Sequence, residues 1–233
     1  MTAPESGAAR EAERIRDVYA RRARSGREER YSLFQPAHLF HAQSLERALV
    51  RSLGREGITT LAGLRILDVG CGGGSWLAGL TRFGAEPARL AGVDLRAEAL
   101  APAAEIRRAT GAGDWLPFAS GAFDIVCQLT MMSSVLDGEM RQRIAAEMLR
   151  VLRPGGIVLW YDFTVNPLNR DVRGVRLPQL RALFPGAKLR AERVTLAPPL
   201  TRFLSRRAWL ACTALEQIPW LRTHLLATIR PAA

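Results

Sequence analysis

The segment Ile66-Leu67-Asp68-Val69-Gly70-Cys71-Gly72-Gly73-Gly74-Ser75 constrains the fold more than any other part of the chain. An apolar run carrying one acid feeds directly into glycines at alternating positions. Residues without a Cβ let the backbone turn sharply and let a ligand approach it closely. The segment therefore reads as a strand ending in a ligand-binding turn, with a helix beginning near Ser75. A dinucleotide fingerprint, GxGxxG, would need glycine or alanine where Ser75 stands, so the turn departs from that pattern.

The surrounding pattern is an alternation of short apolar runs, glycine-bearing turns and amphipathic stretches, which predicts a parallel sheet with crossover helices. Strands are expected at residues 65–69, 89–95, 107–111, 123–129, 156–163, 188–196 and 223–230. Helices are expected from residue 75 onward and at 98–108, 139–151 and 177–184, the third ending at the stop Arg153-Pro154-Gly155-Gly156. Before the sheet, residues 11–25 and 42–53 carry apolar side chains at helical spacing, and an aromatic-rich stretch, RYSLFQPAHLF, runs over residues 30–40. The first ten residues are expected to fray. Residues 198–221 read as a helix or helix pair inserted between the last two strands. The division is an N-terminal helical cap at residues 1–60 and one α/β domain at residues 61–233.

A second acid, Asp94, closes the strand Leu90-Ala91-Gly92-Val93-Asp94-Leu95. In a doubly wound sheet the ends of the first two strands lie side by side, so Asp94 is placed to reach a ribose held over the glycine turn. Two further segments follow: Gly111-Ala112-Gly113-Asp114-Trp115-Leu116-Pro117-Phe118, leading to Phe123-Asp124-Ile125-Val126, and Leu149-Arg150-Val151-Leu152-Arg153-Pro154-Gly155-Gly156. Together with the acidic glycine turn, these resemble the class I S-adenosylmethionine-dependent methyltransferases over roughly residues 65–162.

The resemblance implies a Rossmann-like methyltransferase fold: a mostly parallel seven-stranded sheet with helices on both faces. It implies S-adenosylmethionine as cofactor, S-adenosylhomocysteine as product, and no metal. By the same resemblance the cofactor lies against Asp68, Gly70, Cys71, Gly72 and Gly74, with Asp68 beneath its methionine half and Asp94 and Leu95 at its ribose. The usual adenine-binding acid lies four residues before the leucine of this motif, where the chain has Ala112. Asp114 is then expected to take over the bond to the adenine amino group, with Trp115 packing on the ring. Gln128 and Leu129 fall where the family's fourth strand ends beside the methyl. Tyr31 serves either the cofactor carboxylate, as the N-terminal cover of small-molecule members does, or core packing.

A sulfonium cofactor brings its own leaving group, so the protein has mainly to align a nucleophile and exclude water. Asp162, in Tyr161-Asp162-Phe163 at the end of the fifth strand, is the first candidate for a polar catalytic contact. His41, in the cap, either faces the acceptor as a second candidate or is an ordinary packing residue. The fourth strand continues as Gln128-Leu129-Thr130-Met131-Met132-Ser133-Ser134 and lacks the Asn/Asp-Pro-Pro-aromatic motif of amino-directed nucleic-acid methyltransferases.

The formal charge of +11 invites a nucleic-acid partner. Nearly all of that charge is arginine, spread along the chain without interleaved aromatic residues, which reads instead as a solvated basic surface. The three cysteines, Cys71, Cys127 and Cys212, show neither disulfide nor zinc spacing. No apolar run reaches the ~20 residues that span a bilayer. The first ten residues lack the apolar core of a secretory signal, so the expected compartment is the cytoplasm. The expected activity is methyl transfer to the oxygen, nitrogen or carbon of a small molecule in secondary or cell-envelope metabolism. A peripheral membrane enzyme acting on a lipid-linked acceptor, suggested by Arg202, Arg206 and Arg207 around Phe203, Leu204 and Trp209, is the second reading. A catalytically silent cofactor-binding module is the third.

Overall fold

The computed structural model describes residues 7–25, 31–99, 106–166 and 169–232. Seven strands form one sheet: β1 (Ile66–Val69), β2 (Leu90–Asp94), β3 (Arg107–Thr110), β4 (Phe123–Leu129), β5 (Leu152–Phe163), β6 (Lys188–Leu196) and β7 (Arg222–Arg230). Their spatial order is β3-β2-β1-β4-β5-β7-β6, parallel from β3 through β5, with β7 antiparallel to both of its neighbours. This is the α/β architecture the alternating pattern predicts.

The central strands β1 and β2 are buried along their whole length, which is why they read as near-continuous apolar runs. Alternate side chains separate the core into two layers. On one face Leu67, Val69, Val126, Val158 and Trp160 pack with Ile144, Met148 and Val151 of α4 (Gly138–Val151) and Leu180 of α5 (Leu177–Leu183). On the other, Ile66, Ile125, Ile157, Leu159 and Tyr161 meet Leu49 and Leu53 of α2 (Pro36–Arg55) and Leu77 of α3 (Ser75–Gly79). Helix α4 starts where Asp137 accepts the Met140 N–H at 2.6 Å, an N-cap bond that satisfies one of the helix's free donors.

Several boundaries differ from the periodicity. The first helix, α1 (Gly7–Arg24), begins four residues before the expected 11, because Glu11 is buried and so lies inside the helix rather than at its frayed start. Helix α2 begins at Pro36 rather than 42, since proline suits the first turn, where its missing N–H has no partner to lose. Helix α3 is only five residues long and tightens into a 3-10 turn, Leu80–Phe83. Strand β5 begins at Leu152 rather than 156, running through the proline-glycine stop because Leu152 pairs with Phe123 across a register shift. The helix expected at 98–108 falls largely on residues 100–105, outside the described residues, and Arg107 and Arg108 belong to β3.

The connection from β6 to β7 is a helix pair, α6 (Pro198–Leu204) and α7 (Trp209–Glu216). Since Leu196 pairs with Arg222 and Phe163 with His224, this pair leaves the sheet at the edge where the parallel strands end. It packs on α2 through Phe40 and Trp209, whose rings meet edge to face at 5.1 Å.

Candidate active site

The carboxyl ends of β1 and β2 build a cradle. Asp68 and Gly92 are register partners, and the Gly70 and Cys71 N–H groups both donate to the Val93 carbonyl, at 2.7 and 3.0 Å. These bonds fold the turn back over β2. Gly70, Gly72 and Gly74 have φ of 82°, 51° and 76°, the left-handed region in which a side chain is strained, so the three glycines are required by backbone conformation. Asp94 ties the turn down: its Oδ2 accepts the Gly72 N–H at 2.8 Å, and its Oδ1 accepts the Arg96 N–H at 3.0 Å and the Arg96 Nε at 3.2 Å. The Arg96 guanidinium also lies 4.4 Å over the ring of Tyr19 from α1.

Asp68 lies beneath this turn, 2% exposed, and its Oδ1 is buried with no hydrogen-bond partner in the chain. A buried, unpaired carboxylate is costly. Burial, with the charge of Asp94 adding to it, pushes the Asp68 carboxyl up to about 8. The same surroundings push the Cys71 thiol up to about 12, chiefly through burial, so that cysteine stays protonated and acts as packing beside Gly92.

The side chains that end β4 and β5 shape the facing loop. Gln128, fully buried, accepts the Met131 and Met132 N–H groups on Oε1, each at 3.1 Å. Asp162, also fully buried, accepts the Ser133 N–H at 2.9 Å and the Phe163 N–H at 2.8 Å. Burial raises its carboxyl to about 6 against the pull of those bonds. Both residues thus hold a 3-10 turn, Met132–Ser134, whose neighbour Met131 presses on Gly70, leaving no room for a Cβ there. Leu129 is half-buried at the head of β4 opposite Tyr161.

The remaining sequence candidates engage other partners, although the loop that carries Asp114 adjoins the cradle, the Gly111 N–H donating to the Asp94 carbonyl at 2.9 Å. Asp114 pairs with Arg143 of α4 at 3.2 Å, and Trp115 beside it is 74% exposed. Tyr31 is 71% exposed and meets His38 edge to face. His41 is bonded through Nε2 to Thr201 of α6 at 2.9 Å, and burial holds its imidazole down to about 4. Asp68, Gly70, Cys71, Gly72, Gly74, Asp94 and Leu95 therefore lie at the adjoining carboxyl ends of β1 and β2, while Asp114, Tyr31 and His41 each engage a different partner.

Three contributions escape a reading of the sequence. Arg96 sits on Asp94. Glu11 of α1 accepts the Leu136 N–H at 2.5 Å and, with Arg14 bonded to the Ser134 carbonyl, clips α1 onto the loop after β4. His224 stacks on Tyr161 with centroids 4.8 Å apart and leans on Phe163. Its place at the start of the last strand was the only available signal.

Residues 67–160 match the methyltransferase domain family. A protein of Mycolicibacterium paratuberculosis, named only as an uncharacterized methyltransferase, is 33% identical over 177 residues, covering 69% of this chain and 67% of that protein. A ubiquinone biosynthesis O-methyltransferase of Azorhizobium caulinodans is 35% identical over 139 residues, 55% of this chain and 51% of that protein. In fold, the chain resembles the Burkholderia thailandensis 1,6-didemethyltoxoflavin-N1-methyltransferase solved with 1,6-didemethyltoxoflavin and S-adenosylhomocysteine. The TM-score is 0.66 at 16% identity, covering 100% of this chain and 94% of that one. The chain belongs to the S-adenosylmethionine-dependent methyltransferase family. It spans between about half and two thirds of the length of these curated relatives.

Proposed function

We propose that this chain transfers a methyl group from S-adenosylmethionine to a small organic acceptor bound at the carboxyl edge of the sheet, beside β4 and β5. The carrying observation is the unpaired, buried Oδ1 of Asp68 beneath a turn of three left-handed glycines. A ligand with a positive charge and N–H donors supplies what that oxygen lacks, and the methionine half of the cofactor has both. Asp94 offers a carboxylate at the neighbouring strand end for the ribose hydroxyls, and Arg96 has to share or yield that acid when they arrive.

Once bound, the cofactor supplies an electrophilic methyl with a neutral thioether as its leaving group. The chain's own work is alignment and exclusion of water. Gln128 and Asp162 serve it by fixing the 131–134 turn against Gly70, so in this reading both act as positioning residues. The ring wall of Tyr161, His224 and Phe163 at the end of β5 suits an aromatic or otherwise planar acceptor. The ubiquinone O-methyltransferase among the relatives supports a phenolic ring as the first class to try.

The test is calorimetric titration with S-adenosylmethionine, with NADH as control, followed by assay of S-adenosylhomocysteine release with catechols, phenols and hydroxyquinones. Saturable binding of the sulfonium and turnover with one of these classes is the expected result. Preference for NADH, or no binding of either, would overturn the assignment of the turn. Binding without turnover on any acceptor would mark the chain as a cofactor-binding module.

A further inference from the structure

We infer that the face formed by residues 31–34 together with α6, α7 and the 3-10 turn Pro219–Leu221 docks on an anionic lipid bilayer. Nine large hydrophobic side chains are exposed among the described residues, and six lie in these segments: Tyr31, Leu33, Phe34, Phe203, Leu210 and Trp220. Phe34 is 97% exposed, Leu210 82% and Phe203 80%. The two segments form one body. Arg206 donates to Gln35 at 3.4 Å, His41 is bonded to Thr201, and Trp209 packs on Phe40. Thr201 of α6 and Cys212 and Glu216 of α7 are the buried sides of the two inserted helices, and Phe203 and Leu210 lie outside that packing. Apolar side chains gathered in this way on a water-facing surface mark a surface with a partner.

Charge identifies the partner. Arg202, Arg206 and Arg207 stand exposed around Phe203, and none of the three meets a carboxylate among the described residues. Other surface arginines do meet a carboxylate, as Arg150 does with Glu147 and Arg153 with Asp124, while Arg181 and Arg193 also stand exposed without one among the described residues; what sets the three apart is their place around the exposed Phe203. Apolar tips within an unpaired arginine ring, on a chain of net charge +11, complement a surface that is apolar inside and anionic outside. The helix pair leaves β6 at Leu196 and rejoins the sheet at Arg222, beside the end of β5, so docking would bring the acceptor edge to the bilayer. No helix among the described residues is long and apolar enough to cross a membrane, and the contact inferred is one of lying on it. This inference does not depend on what the glycine turn binds.

Co-sedimentation of the full chain with phosphatidylcholine vesicles, with and without phosphatidylglycerol, tests it. The protein is expected to pellet with the anionic vesicles and to be released by high salt. Arg206→Glu with Arg207→Glu should weaken partitioning at least about 25-fold, roughly fivefold per arginine. Phe203→Ser with Leu210→Ser should weaken it about tenfold even at low salt. Arg181→Glu with Lys188→Glu, an equal charge change at exposed positions away from this face, should leave it within about twofold. All the substituted side chains are exposed, so unchanged thermal melting shows that the variants fold. Absence of pelleting, or equal loss in the Arg181/Lys188 variant, overturns the inference. So does a homodimer in solution that the Phe203/Leu210 variant dissociates, which would assign the face to a second copy of the chain.

Discussion

The Oδ2 atom of Asp94 accepts the Gly72 N–H at 2.8 Å, so the acid that ends the second strand also fixes the turn that leaves the first. One carboxylate therefore has two duties, as anchor of the turn and as ribose partner, and two substitutions separate them. In Asp94→Asn the amide oxygen still accepts the Gly72 N–H, whereas Asp94→Ala leaves it free. Hydrogen bonds to charged groups contribute about 1.5–3 kcal/mol. Calorimetry is expected to show S-adenosylmethionine affinity reduced on the order of 10- to 100-fold in the alanine variant. The asparagine variant keeps the Gly72 bond but turns its amide N–H groups toward the two Arg96 donors, so it should melt below wild type and lose less affinity than the alanine variant. Equal affinity in all three proteins would remove Asp94 from the site.

Asp68 makes cofactor binding a proton-linked event. Burial holds its carboxyl at about 8 in the free protein, so near pH 7 it is largely protonated. A cation placed against it favours the charged form and drives the proton off. Titrations at pH 7 in buffers of different ionisation enthalpy should show release approaching one proton, and Asp68→Asn should release none. The sign for stability follows from the same value. Between its unfolded value near 4 and the folded value near 8, the native state holds the extra proton, so ligand-free stability falls as pH rises through that window. Asp68→Asn should therefore melt higher than the parent above pH 8 and alike near pH 4. A parent whose binding is buffer-independent would contradict the linkage.

The histidines act in the opposite direction. Burial, with His41 nearby, holds His224 at about 3, and burial holds His41 at about 4. Both are neutral in the folded chain and take up protons on unfolding below about pH 6.5, so stability is lost as pH falls from there toward 4. His224→Phe keeps a ring between Tyr161 and Phe163. Melting followed by circular dichroism should show a shallower decline between pH 6.5 and 4.5 in that variant than in the parent. An identical slope would mean that His224 takes no part in the acid response.

The sheet was legible because its central strands are buried on both faces and their ends carry glycine and acid in a fixed order. Asp68, the glycines and Asp94 come together because strands β1 and β2 are neighbours, which the chain order of a doubly wound sheet implies. The partners of the other candidates depend on side-chain placement that no spacing encodes. Asp162 and Gln128 stand at strand ends, where the sequence suggested contact with ligand, yet they face free N–H groups of the next turn, and satisfying those groups takes up their polar atoms. Asp114 was displaced by two residues from its motif, and in the fold Arg143, one helix away, pairs with it. Glu11 and the ring contact of Arg96 on Tyr19 act across long sequence separations, between α1 and strand ends, and the Arg96 bond to Asp94 two residues before it has no motif to announce it.

Gly92 supports the cofactor turn from below, although it lies outside the glycine motif. A Cβ built on it would fall 2.6 Å from the Cys71 Sγ, 2.9 Å from the Cys71 Cβ and 3.0 Å from Leu77 Cδ1. The neighbours are buried and cannot swing into solvent, and overpacking of this kind costs about 1–3 kcal/mol. Relief comes most readily by lifting Cys71, which displaces Gly70 and Gly72 and weakens the Gly72 contact to Asp94. Gly92→Ala should therefore lose thermal stability and S-adenosylmethionine affinity together, although it touches no ligand. Cys71→Ala removes the nearest clashing atom, so the double variant should recover part of both losses, as a double-mutant cycle would measure. If affinity falls and the cysteine substitution restores none of it, the turn is not coupled to β2 through this contact.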